Sequence, residues 1–148
     1  ALLATVQTHA DFVVQPCDGL AAAIEGSVVE PNGAFATKTR ALCDQYISAM
    51  GTFGSDTGQM DTLVLGCTHY VFAAPYLRSQ LGEGVQLIDT GAPVARQTRR
   101  LLAAAQALSS TGTSQVQLLA TGEAQNLHTA AVRWLALHPA RTSGHVQV

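Results

Sequence analysis

The sequence predicts an α/β fold with a largely parallel, layered sheet, and three observations carry that prediction. Short apolar runs with β-branched residues alternate with longer segments of helical period along the chain. Each run is four or five residues long and ends at glycine or polar residues, as strands covered on both faces do. Finally, 47% of the 148 residues are hydrophobic and only 12% charged, enough apolar surface for one domain or two small lobes.

In chain order, strands are expected at residues 2–5 (LLAT), 12–15 (FVVQ), 62–65 (TLVL), 85–88 (VQLI) and 116–120 (VQLLA). A helix over 35–50 sets Ala41, Leu42, Tyr46 and Ile47 on one face. A second over 94–108 aligns Val94, Thr98, Leu101, Leu102, Ala105 and Leu108. A third over 123–137 repeats the spacing with Leu127, Ala131, Trp134 and Leu135 and is stopped by Pro139. A shorter helix begins near Phe72. Glycine and serine place loops at 51–58 and 109–114, and the tail after Pro139 is expected to be loose. There is no repeat at solenoid periods.

Composition also excludes function classes. Eight Lys+Arg against ten Asp+Glu give a net charge of −2 with no basic run, which is no footprint for nucleic acid. No apolar stretch approaches a membrane span, and the first residues carry no secretory pattern. A start on alanine suggests a piece of something longer. Three cysteines without a CxxC pair fit free thiols in a reducing compartment, and the cytoplasm is the expected location. The single lysine, Lys38, lies on a predicted helix away from any phosphate-cradling glycine loop, against pyridoxal phosphate chemistry. Cys67 and His69 supply only two of the three or four ligands a zinc site needs, so neither cofactor nor metal is expected.

The stretch that could carry chemistry is DTLVLGCTHY, residues 61–70, where an apolar strand runs into glycine, cysteine, threonine and histidine before a helix-like segment. Cys67 then sits at the carboxyl end of a strand, where open α/β sheets bind ligands. Gly66 permits close backbone approach, and a helix start after Cys67 favours its thiolate and offers N–H groups near Thr68 and His69 to a carboxylate. The expected partner is an anionic small molecule. Taken singly, Cys67 could equally pack as a small hydrophobe, Thr68 could be a helix cap, and His69 could pair with a carbonyl. Asp89 reads chiefly as a cap for the next helix, Arg96, Arg99 and Arg100 as a solvated face, and Tyr70, Tyr76 and Trp134 as packing anchors.

L-G-C-T-H-Y resembles the thiol motif in the second half of glutamate racemase, of the aspartate/glutamate racemase superfamily. The resemblance spans most of the chain. PCDGLAAAIE is similar to a family segment in which glutamate follows a cysteine by eight residues, here Cys17 and Glu25. VQLIDTGAPVARQT and LLATGEAQNLHTAAVRWL resemble the later strands and closing helix, and ALLAT the strand before the family's x-G-T turn. Of these segments, only G-C-T-H is specific. The resemblance implies a two-lobe racemase architecture and cofactor-independent interconversion of L- and D-glutamate, supplying D-glutamate for peptidoglycan. It implies Cys67 as one of two catalytic cysteines, Thr68 and His69 as substrate-holding residues with His69 assisting the thiol, and Glu25 as a carboxylate near that thiol. Two acid/base groups are needed because inverting a stereocentre removes a proton from one face and returns one to the other.

Departures from the family pattern set further expectations. Val71 stands where the family usually has proline, and Gln7 where it has glycine. The family's Asp-Ser-Gly loop and Cys-Asn-Thr segment have no counterpart here, and Cys17 and Cys43 read as structural thiols. The chain is therefore expected to hold one catalytic half and to be inactive alone. Residues 1–90 would form part of the second lobe and 91–148 a return segment, packing on the missing N-terminal half or on another copy. Two other functions compete: a Cys–His thiol hydrolase, and a non-catalytic module binding an anion or amino acid.

Overall fold

The computed structural model describes residues 10–30, 32–111, 116–137 and 142–147, the last six and Phe35 by their backbone alone. The strand expected at 2–5, and Gln7, lie outside the described residues. Helix α1 (Leu20–Gly26) starts after Gly19, whose φ of 78° is left-handed and suits glycine. Its alanine-rich sequence favours helix, and Leu20, Ala23 and Ile24 recur at helical spacing to form its buried face. The Ser27 hydroxyl closes it by donating to the Ile24 carbonyl at 2.6 Å. This helix was not among the predicted elements, although the Leu20–Ile24 spacing signals it.

Helix α2 (Ala34–Met50) runs one residue beyond the expected start and stops at Gly51, φ 118°. It buries Cys43 and packs Leu42, Tyr46, Ile47 and Met50 around the core. The Tyr46 hydroxyl donates to the Asp18 carbonyl at 2.7 Å and ties α2 to the loop before α1. Strands β1 (Thr62–Val64) and β2 (Gln86–Ile88) pair in parallel with Leu63 opposite Leu87. Between them a 3-10 turn (Tyr70–Ala73) leads into α3 (Ala74–Gln80), which carries proline in its first turn. The Arg78 guanidinium donates to the Val85 carbonyl at 2.6 Å, pinning the end of this crossover. The core is shared among these elements: Leu20 and Ile24 from α1, Cys43 from α2, Leu63 and Leu65 from β1, and Ala73, Leu77, Leu81 and Val85 around the crossover.

Helix α4 (Gly91–Ala104) begins three residues before the predicted start and ends before Leu108, where Gln106 takes φ 54°. The Asp89 carboxylate accepts the Gly91 N–H at 2.8 Å, the capping role expected of it. No α4 residue is buried, and its stripe of Val94, Leu101 and Leu102 faces outward with Arg96, Arg99 and Arg100. Strand β3 (Val116–Ala120) leads to α5 (Ala124–Leu135) and then β4 (Thr142–Gln147), parallel to β3.

The α/β class with parallel pairing stands, with the described strands in two separate two-stranded sheets. Two expectations need correction. Residues 12–15 form no strand, because β-propensity alone does not make one without a neighbouring ladder; Phe12, Val13 and Val14 are exposed. The tail after Pro139 is not all loose, since residues 142–147 pair with β3 and satisfy its backbone groups.

Candidate active site

The β1 direction continues through Leu65, whose N–H donates to the Ile88 carbonyl at 2.8 Å, and delivers Cys67 just beyond the carboxyl end of the sheet. There the chain turns sharply. The Tyr70 N–H donates to the Cys67 carbonyl at 3.2 Å and the Phe72 N–H to that of His69 at 3.1 Å, forming the 3-10 turn. The sequence places a helix start after Cys67, with Thr68 as a possible cap. Instead His69 occupies the cap position of the 3-10 turn with no side-chain bond to the turn's backbone, and Thr68 is exposed. Any dipole at Cys67 therefore comes from a single tight turn followed by the short α3. A Cβ at Gly66 meets nothing within 4 Å, so internal packing does not demand glycine and the space above this peptide is open.

Three predicted residues come together in one line. The Cys67 Sγ lies 3.9 Å from His69 Nδ1, and His69 Nε2 lies 4.0 Å from Glu25 Oε2. Cys67 and His69 are brought together locally by the turn, whereas Glu25 arrives from the last turn of α1. One ring nitrogen of His69 thus faces the thiol and the other faces the carboxylate. The two side chains of the His69–Glu25 pair are 39% and 75% exposed, so it contributes only about 0–1 kcal/mol to stability. Thr68 is adjacent in sequence but shares no contact in this line.

Burial raises the thiol of Cys17, an effect opposed by the Tyr70 hydroxyl and reinforced by Asp18. The Tyr70 phenol is itself pushed up to about 12, first by burial and then by the neighbouring Cys17 and Cys67, and it donates to the Cys17 carbonyl at 3.4 Å. Cys43 is enclosed at 1% exposure, and burial, with Asp44 and Cys17 adding repulsion, pushes its thiol up to about 11. A consequence follows for alkaline stability. The unfolded thiol ionises from about pH 8.5 while the folded one keeps its proton, so the unfolded state binds fewer protons and stability falls as pH rises toward 11. Urea unfolding of Cys43→Ala should show a shallower decline than wild type from pH 8.5 to 11, with the two curves parallel below pH 8.

A cavity of about 540 Å³ opens beside this line, and its lining includes Glu25, His69, Phe72, Thr121, Glu123, Leu127 and Trp134. Cys67 and Thr68 are not among its walls. The Phe72 and Trp134 rings, both part of its lining, stack directly on each other at 4.1 Å with an interplanar angle of 11°. The Arg133 guanidinium donates to the Ser27 carbonyl and to that of Val28 at 3.4 Å. Sequence reasoning missed Arg133; a cation in the last turn of an amphipathic helix was the only available signal. Among the described residues, no group of three or more His, Cys, Asp and Glu side chains could hold a metal ion, and no helix is long and apolar enough to cross a membrane.

No protein-family model matches the chain. Individual relatives do. It is 36% identical over 127 residues to a glutamate racemase of Ectopseudomonas mendocina, covering 86% of this chain and 44% of that protein. Identity is 41% over 111 residues to that of Pseudomonas syringae pv. tomato, covering 74% and 36%, and 37% over 123 residues to that of Herpetosiphon aurantiacus, covering 82% and 44%. By sequence, the chain groups with the glutamate racemases. It spans less than half the length of these relatives. A crystal structure of a glutamate racemase isoform from Bacillus anthracis superposes with a TM-score of 0.75 at 23% identity, covering 99% of this chain and 50% of that one, which fixes the fold. The racemase-like motif G-C-T-H is the segment that places Cys67 and His69 at the strand end.

Proposed function

We propose that this chain supplies one catalytic half of a glutamate racemase, working without a cofactor on D- and L-glutamate. The observation that carries the reading is the line Cys67–His69–Glu25 at the end of a parallel strand. In this reading Cys67, as thiolate, takes the proton from the glutamate Cα, and the electron pair left on carbon delocalises into the α-carboxylate. A second thiol on the opposite face, contributed by a polypeptide outside this chain, delivers the replacement proton. For the reverse direction the two thiols exchange roles. His69 holds the thiol proton in transit and helps bind substrate, Glu25 keeps the imidazole turned toward sulfur, and Thr68 binds the substrate carboxylate.

Residues 91–148 serve in this reading as the segment that returns to the other lobe, and the wholly exposed stripe on α4 supports it. The biological role would be supply of D-glutamate for peptidoglycan in the cytoplasm. Solvent-deuterium incorporation at the glutamate Cα tests the proposal. The chain alone should neither exchange nor racemise. Mixed with, or fused to, the first half of one of its relatives, it should do both, and Cys67→Ser should abolish the regained turnover. Turnover by the chain alone, or turnover of the assembled protein that survives Cys67→Ser, would overturn it.

A further inference from the structure

Helix α5 reaches back to both sides of the Glu25–His69 pair. On one side the Arg133 guanidinium donates to the carbonyls of Ser27 and Val28, immediately past the end of α1 that carries Glu25. These are carbonyls of the kind left unpaired where a helix ends, and a cation placed there also complements the negative end of the helix dipole. On the other side Trp134, the next residue, stacks on Phe72, three residues after His69. The two carriers of the pair thus touch one short stretch of a third element. Meanwhile, the pair itself is too exposed to hold its own geometry: its closest approach is 4.0 Å, and Glu25 is 75% exposed.

We propose that Arg133 and Trp134 are positioning residues for the catalytic line: α5 clamps the end of α1 against the His69 turn and so sets the distance from Glu25 to His69. This rests on the proposed role of Cys67, His69 and Glu25. Neither clamp residue touches the reacting atoms. A shift of about 1 Å in a catalytic group can cost roughly 10²-fold in rate, so a loosened clamp matters even if the fold survives.

The readout is the pH dependence of Cys67 alkylation by iodoacetamide, measured on the whole chain by mass spectrometry. Glu25→Gln and His69→Asn define the profiles of a broken line. Arg133→Met should reproduce the Glu25→Gln profile and slow alkylation near neutral pH by about three- to tenfold, within the range of a sub-ångström displacement. Arg133→Lys, which keeps a cation at the carbonyls, should recover the wild-type profile. Trp134→Leu should move toward Glu25→Gln and Trp134→Phe should not, because a second aromatic ring can still stack on Phe72. Near-UV circular dichroism confirms that each variant is folded; the conservative pair keeps the test alive if the harsher variants unfold. If Glu25→Gln and His69→Asn leave the wild-type profile intact, the underlying line is wrong and the clamp falls with it. If they change the profile while folded Arg133→Met and Trp134→Leu retain the wild-type one, the clamp alone is overturned.

Discussion

Iodoacetamide at neutral pH should label Cys67 first, well ahead of Cys17, and should leave Cys43 unmodified until the chain unfolds. The ranking follows from exposure and thiolate supply. Cys67 is half-buried beside the His69 imidazole, and the space over Gly66 is open. Cys17 is also half-buried, but desolvation raises its thiol and its Sγ–H donates to the Gln15 carbonyl at 3.4 Å. Cys43 is 1% exposed with its thiol near 11, and relative to an ordinary thiol near 8.5 it holds more than about 100-fold less thiolate at the same pH. Peptide mapping during a labelling time course reads all three sites at once. Cys67→Ser should remove the fast phase entirely, and glutamate should slow it in the wild type. Equal rates at the three sites would sink the assignment of Cys67 as the reactive thiol.

The largest stability effect should come from Ile24→Ala. Ile24 is 2% exposed and sits in the core formed by α1, α2, β1 and the crossover, so truncation removes three buried carbons and leaves a cavity. Losses of this kind are about 2–5 kcal/mol. For a chain of this size each kcal/mol lowers Tm by roughly 2–4 °C, which thermal denaturation resolves easily. The substitution also loosens the residue next to Glu25, so Cys67 labelling should slow in the same variant below its Tm. An Ile24→Val control removes a single methylene and should cost only about 0.5–1.5 kcal/mol. A loss in Ile24→Ala no greater than in the valine variant would show that α1 is not seated in the core.

The elements legible in the sequence were those whose signal is local. Helix α2, the β1 and β3 runs and α5 were read to within one or two residues, because each combines a clear period with a glycine or proline boundary. Residues 12–15 have the same strand-like composition but gain no ladder partner, and 142–147 lack it yet pair with β3. Strand formation depends on a neighbour, and no window of sequence contains the neighbour. Helix α4 was found from its stripe, but that stripe faces outward, which periodicity alone could not show.

The chemical residues divide the same way. From the order of its amino acids alone, this protein revealed its α/β class and the strand that ends at Gly66, Cys67, Thr68 and His69, because strand period and a breaking glycine are short-range properties. Resemblance added Glu25. That Glu25 lies against His69, that Arg133 reaches the Ser27 carbonyl and that Trp134 stacks on Phe72, only the tertiary structure decided. Such contacts join residues far apart in the chain, and their distances are set by how whole helices pack, through many small side-chain contacts that no single motif encodes.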